Sequence, residues 1–340
     1  MAKKSAGGTT TRSKRRGAKR ANPGGKGAVK PRRVGKAAKK VARKKAAKKV
    51  ARKKVANGRK VAVKKVHRKV APLTIVTIVF AIHDYAEIVD SPNAPYFNQL
   101  ITQYGLATNY HDSGIRPSLP NYLVLVSGDP QYPGSVDLGP TSSPFPARAA
   151  NLGTQLEAAK IQWRSYQEGM GNPCKLVASG NYNPVHNPFF YFDDIQNGNG
   201  GFCAAHNVDY TQLASDLAGG TYRFMWISPD MRNSGHDPVN DPVGALKTSD
   251  AWAQAIVPRI LQSPAFKANG ILFITWDTAA GRNGPQSRVP MIIVSPKIKS
   301  GFRSSKRYDH KSYLATVEDL LGMPRLATVA NEPSMREFFK

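Results

Sequence analysis

Apolar residues in this chain gather in short unbroken runs. Leu73–Ile82 (LTIVTIVFAI), Phe224–Ser228 (FMWIS), Ile271–Trp276 (ILFITW) and Val289–Ser295 (VPMIIVS) are continuous and rich in β-branched and aromatic side chains. That pattern predicts strands covered on both faces, since a half-exposed strand would alternate. Between the runs, apolar residues recur at helical spacing over Tyr96–Tyr104, Leu119–Val126, Asn151–Lys160, Tyr210–Leu217, Asp250–Leu261 and Ser312–Leu321. Strands alternating with helices predict an α/β fold with a largely parallel sheet and helices on both faces. In such sheets chemistry collects beyond the carboxyl ends of the strands, so the polar residues just past each run are the ones to inspect.

One stretch organises that inspection: Arg116-Pro117-Ser118-Leu119-Pro120-Asn121-Tyr122, leading into Leu123-Val124-Leu125-Val126 and closed by Ser127-Gly128. Serine with proline two residues inside the first turn predicts a helix that starts with Ser118 as N-cap. Free N–H groups and the positive end of the helix dipole converge there, favouring a bound anion or a serine alkoxide. The plainer reading is a cap and nothing more.

Past the strand at Phe224–Ser228 come His236 and Asp237, past Ile271–Trp276 come Asp277 and Thr278, and after Val289–Ser295 come Tyr308-Asp309-His310-Lys311-Ser312. A serine, carboxylates and histidines at one sheet edge suggest metal-assisted ester hydrolysis with the serine as nucleophile. Each has a structural alternative: Asp309 or Ser312 capping the last helix, His236 serving a loop, Asp250 capping Ala251–Leu261.

Charge changes the picture. Of 50 Lys and Arg, 29 fall in residues 1–70, which hold no Asp or Glu; the rest of the chain carries 21 basic against 22 acidic residues. The chain therefore reads as a polycationic tail (1–71) attached to a near-neutral globule (72–340). The tail lacks aromatic residues and repeats itself nearly, Lys39–Ala47 (KKVARKKAA) preceding Lys48–Ala56 (KKVARKKVA). Nothing in it can form a core, which predicts disorder in isolation. In composition it resembles the Ala/Lys-rich tails of linker histones and bacterial histone-like proteins. Lys39, Lys40, Arg43, Lys44, Lys45, Lys48, Lys49, Arg52, Lys53 and Lys54 are the expected contacts to a polyanion, nucleic acid first, and nearly all such affinity is expected from the tail. A solubilising tail and adhesion to an anionic envelope polymer are the alternatives.

No apolar h-region follows the basic start, so no conventional secretory signal is expected, which favours a cytoplasmic or nucleoid-associated protein, whereas a bridged cysteine pair would suggest an extracellular or periplasmic one. Leu73–Ile82 is too short to span a bilayer. Cys174 and Cys203 enclose a loop rich in Asn, Gly and Pro; oxidised, they would staple it, whereas a reducing compartment would leave them as thiols.

Several landmarks follow one another along the chain: Asn109-Tyr110-His111, Pro117–Tyr122, Ser127-Gly128, His186-Asn187-Pro188-Phe189, Ser249-Asp250-Ala251-Trp252, Thr275-Trp276-Asp277, Gly301-Phe302-Arg303-Ser304-Ser305, and Tyr308-Asp309-His310 leading into Glu318-Asp319-Leu320. On these, the chain from about Leu73 onward resembles the bacterial phosphoesterases that group acid phosphatases with phosphatidylcholine-type phospholipases C, within the alkaline-phosphatase-like superfamily. The resemblance implies a three-layer sandwich with a central, mainly parallel sheet. It implies hydrolysis of phosphomonoesters or phosphodiesters by a metal-bound Ser or Thr, by position Ser118, with Asn121, Arg116, His111, His236 and His310 as catalytic candidates. His186, Asp237 and Asp250 would line the pocket, and Cys174 and Cys203 stand where the family is usually bridged.

The departures are specific. Members of the family end the first strand with Met-Glu-Asn, followed by a basic residue, Ser and Tyr, and its Glu and Asn bind metal; here the place reads Phe80-Ala81-Ile82-His83-Asp84-Tyr85. Ala81 and Ile82 cannot coordinate a cation, Thr278 replaces a second carboxylate, and Arg116 replaces a histidine. Asp277 and Ser118 remain as ligands, with His83 or Asp84 as substitutes if a bulge turned one inward. Three functions follow as expectations: an impaired phosphoesterase tethered by its tail, an active one holding a divalent metal, or a histone-like protein with the globule as a cap.

Overall fold

The computed structural model describes residues 71–280 and 287–339. The tail cations Lys39–Lys54 lie outside the described residues. Strands β1 (Thr74–Phe80), β2 (Gly105–Ala107), β4 (Trp163–Gln167), β5 (Asn207–Asp209), β6 (Phe224–Ser228), β7 (Gly270–Trp276), β8 (Met291–Val294) and β9 (Phe302–Ser304) form one sheet in the order β5-β4-β6-β1-β7-β8-β2-β9. All pairings are parallel except those of β8, which runs against both its neighbours. A separate two-stranded parallel ladder joins β3 (Tyr110–His111) to β10 (Tyr308–Asp309).

The helices are α1 (Tyr85–Ile88), α2 (Pro95–Gln103), α3 (Ser118–Ser127), α4 (Leu152–Ala158), α5 (Asp193–Gln196), α6 (Phe202–His206), α7 (Leu213–Gly219), α8 (Pro242–Gln262), α9 (Pro264–Asn269) and α10 (His310–Leu321). Strand alternation sorts them into two layers. On one face of β1, Thr77 hydrogen-bonds the Tyr313 hydroxyl of α10 at 2.6 Å, and Tyr122 of α3 packs near Trp226, whose Cα is the register partner of Thr77. On the other face Phe80 meets Phe97 of α2 and Trp252 of α8 edge-on. The result is the three-layer sandwich with a central, mainly parallel sheet. No helix among the described residues is long and apolar enough to cross a membrane.

The four apolar runs form the sheet's centre and are buried throughout β1, β6, β7 and β8. The six remaining strands carry no such run. They are two to five residues long and hold polar residues such as Arg164, Ser165, Asn207 and Asp209, so pairing with a neighbour made them strands. Two boundaries also move. Pro117 is the N-cap of α3 and Ser118 its first helical residue. Helix α8 begins at Pro242, capped by Asp241, which leaves Asp250 in mid-helix. Its carboxylate caps a different helix, accepting from the Tyr96 and Phe97 amides of α2 at 3.0 and 2.8 Å. Cys174 and Cys203 form a disulfide, their Cα atoms 5.5 Å apart.

Candidate active site

Helix α3 is buried along all ten residues, and its N-terminus stands beside the carboxyl ends of β1 and β7. Gly128 ends it in the left-handed region at φ 69, where a Cβ would lie 2.6 Å from Thr328 and Val329. The loop entering it is held by Asn121. Its amide nitrogen donates to the carbonyls of Ile115 and Pro117 at 2.9 and 3.1 Å; its oxygen accepts from Ser113 N and Oγ at 2.9 and 2.6 Å. Every polar atom of the side chain is used on this loop, so Asn121 positions Ser118.

Ser118 is 3% exposed and faces Asp277, which is fully buried. Asp277 Oδ1 accepts from the Ile82 amide at 3.0 Å, while buried Oδ2 lacks a hydrogen bond of normal geometry. Burial pushes the carboxyl up to about 7; the Ile82 amide and the neighbouring Ser118 hydroxyl hold it from rising further. Tyr122, one turn along α3, ends in a buried hydroxyl without a hydrogen-bond partner, and the charges of Asp277 and Asp137 add to the burial that raises its pKa.

The anion position at the helix N-terminus is taken from within. Asp137 Oδ1 accepts from the Leu119 amide at 2.8 Å, and the Ser118 amide also reaches this carboxylate. Burial raises the Asp137 pKa, and the Leu119 amide and nearby His236, itself bonded through Nδ1 to Asp237 Oδ1 at 2.8 Å, offset this only in part. The His236 ring lies 6.3 Å from that of His186, which stacks on Tyr122 at 5.2 Å and is held by burial at a pKa of about 3. Ser118, Tyr122, Asp277, Asp137, His186, His236 and Asp237 thus form one continuous group.

The other candidates serve its frame. His310 Nε2 donates to the Asp277 carbonyl at 2.7 Å; since a carbonyl only accepts, Nδ1 is left to accept from the Tyr110 hydroxyl at 2.9 Å. Arg116 Nη1 donates to Asp112 Oδ2 at 2.9 Å, and the same oxygen accepts from the Ala279 amide at 2.9 Å, tying the two loops together. His111 Nε2 pairs with Asn109 Oδ1 at 2.8 Å. Asp112 and Asp137 carry no signal in the sequence, since each is an isolated acid in a Gly- and Pro-containing loop, where no periodicity reports direction.

A divalent cation does not fit these donors. Ala81 and Ile82 occupy the strand end, and Ala81 N and Ile82 N are bonded to the Ser234 carbonyl and to Asp277. The hydroxyl of Thr278 donates at 3.4 Å to the carbonyl of Ala279. At the start of α1, His83 Nδ1 lies 3.2 Å from Glu87 Oε2 while its buried Nε2 has no hydrogen-bond partner among the described residues, and Asp84 forms a capping box with Glu87. Among the described residues no group of three or more His, Cys, Asp or Glu is arranged to hold a metal ion.

A model of the Phosphoesterase family matches residues 86–324. The chain belongs to that family. Similar to it are a probable acid phosphatase of Kluyveromyces lactis, 26% identical over 238 residues (66% of this chain, 53% of the relative), and an acid phosphatase of Aspergillus niger, 22% identical over 237 residues (67% and 54%). The chain spans about half the length of the curated relatives it matches. Among solved structures, an alkaline phosphatase superfamily protein of Vibrio parahaemolyticus aligns with a TM-score of 0.57 at 13% identity, over 79% of this chain and 72% of that one. A lipoteichoic acid synthase of Listeria monocytogenes aligns at 0.54 and 8% identity, over 78% and 74%. At such identities the likeness is one of fold alone.

Proposed function

We propose that this Phosphoesterase-family chain is a catalytically impaired member, held on nucleic acid or another polyanion by its basic N-terminal sequence. One observation carries the impairment: Ser118 and Asp277 stand together at a strand end whose neighbouring positions, Ala81, Ile82 and Thr278, offer no further ligand. Without a cation, nothing lowers the pKa of the Ser118 hydroxyl or neutralises the charge of a phosphoryl group in transfer. Asp137 adds a second obstacle, since a substrate phosphate must displace its carboxylate from the amides of α3.

A second reading rests on Asp277. A carboxyl titrating near 7 beside a serine hydroxyl is matched to act as a general base without metal. The acid phosphatase relatives make phosphomonoesters the class to try. Turnover of an aryl phosphate by the full chain, with added divalent metals and with chelator, separates the readings. Impairment expects background rates in both. Chelator-resistant turnover that rises through pH 7 and vanishes in Ser118→Ala supports the second reading, and metal-stimulated turnover overturns both.

A further inference from the structure

We infer that the globule carries its own nucleic-acid-binding face, a ribbon of cations along the β9 edge of the sheet that reaches the rim where Ser118 stands. The balance of 21 basic and 22 acidic residues beyond the tail hides an asymmetry. Residues 287–311 hold seven cations (Arg288, Lys297, Lys299, Arg303, Lys306, Arg307 and Lys311) against Asp309 alone. All but Lys311, which is half-buried, are exposed.

The strand register fixes their placement. Ala107 is level with both Ser304 and Met291, Met291 with Thr275, and Thr275 with Val79. Ser304 therefore stands level with the end of β1, and Lys306 and Arg307 follow it onto the carboxyl rim. Arg288 precedes β8, which runs the opposite way, and so reaches the same rim. At about 4.8 Å per strand, three spacings separate β9 from β7 and Asp277, roughly 14 Å. Lys297 and Lys299, between β8 and β9, lie at the amino rim. There Lys297 donates to Asn269 Oδ1, and Asn269 Nδ2 donates to the carbonyl of Ala71 at 2.7 Å. Ala71 is where the 29 cations of the N-terminal sequence join the fold.

Electrostatic neighbours show that the cations converge. Arg288 and Arg303 both act on Tyr85, with the Arg288 guanidinium 4.0 Å above its ring, and Arg288 and Arg307 both act on His111. Only Lys306 is paired with a carboxylate, Glu337 at 2.5 Å; among the described residues the other six take part in no ion pair. Edge-strand charges commonly deter sheet pairing, but that accounts for Arg303 and not for Arg288 and Arg307, which lie off the edge strand. Unneutralised guanidiniums along an extended path suit a row of phosphates. A turn closes between Lys299 and Phe302, so from Lys299 to Arg307 the path runs at most about 20 Å, the rise of about six base pairs. Duplex nucleic acid, held through its backbone, is the partner this fits.

The inference rests on the polyanion reading above, and the test separates the two. Binding of the full chain to a 20-base-pair duplex is followed by fluorescence anisotropy between 50 and 200 mM NaCl. Lys299→Gln with Arg303→Gln and Arg307→Gln should flatten the slope of log K against log salt by about 2.7, at 0.9 per contact. The fourfold rise in salt should then cost that variant about 40-fold less affinity than it costs the wild type. Lys299→Arg with Arg303→Lys and Arg307→Lys keeps the charges and should keep the slope. Wild-type binding with an unchanged slope in the glutamine variant overturns the ribbon and leaves the polyanion reading standing. So does an equal drop in Lys160→Gln with Lys247→Gln and Lys267→Gln, elsewhere on the surface. Failure of the wild type to bind DNA overturns the ribbon even if it binds phosphatidylserine vesicles, and failure on both overturns the polyanion reading too.

Discussion

Ile82 has a backbone its side chain does not suit. It sits at φ 34, in the left-handed region that a β-branched residue enters only under strain and that asparagine tolerates. The strand end thus has a backbone shape that suits asparagine, the residue the resemblance implies there, better than isoleucine. Ile82→Asn is expected to raise stability by about 1 kcal/mol, seen as a higher urea midpoint at unchanged m-value. Asp277 makes the complementary prediction. Its pKa rises from 3.8 unfolded to about 7 folded, so the native state binds the extra proton between those values. Its contribution is full below 3.8 and is lost as pH climbs through 7, a difference on the order of 4 kcal/mol. Asp277→Asn should remove that slope. Urea unfolding at pH 4 and pH 8 should show the variant gaining on the wild type only at the higher pH; a constant difference would count against a neutral buried acid.

At the scale of elements, β1, β7 and α3 meet so that a serine, a carboxylate and two loop ends converge. Asn121 and His310 as donors and Asp112 as acceptor fix that meeting with hydrogen bonds. Restoring ligands should therefore work on a frame already in place. Ala81→Glu with Ile82→Asn and Thr278→Glu is expected to create affinity for a divalent metal, read by calorimetric titration with Mn²⁺ or Zn²⁺. Each single change should bind little, since coordination needs several oxygen donors together. Ala81 is fully buried, so circular dichroism must first show the triple variant folded.

For the whole molecule, charge separation is the organising feature. Residues 1–70 hold 29 cations and the globule is balanced overall, yet one edge of it repeats the tail's sign. Removing residues 1–71 should lower duplex affinity by orders of magnitude and reduce the salt slope to the few contacts the β9 edge can make. A shortened chain with the slope of the full one would mean that the tail does not touch the duplex.

The sequence by itself determined the fold's centre. The runs at β1, β6, β7 and β8 had to be buried on both faces, and that demand is written in consecutive residues. Ala81, Ile82 and Thr278 are likewise legible there as side chains poorly suited to hold a cation, because that is a matter of side-chain chemistry at one position. The short strands β4, β5 and β9 became strands only by pairing with a neighbour already there. Asp250 read as a local cap and proved to cap a helix more than 150 residues earlier. Asp137 on the amides of α3, and the gathering of Arg288, Arg303 and Arg307, likewise join residues distant in the chain. Which side chain faces which across such gaps depends on the packing of layers, and only the tertiary structure decided it.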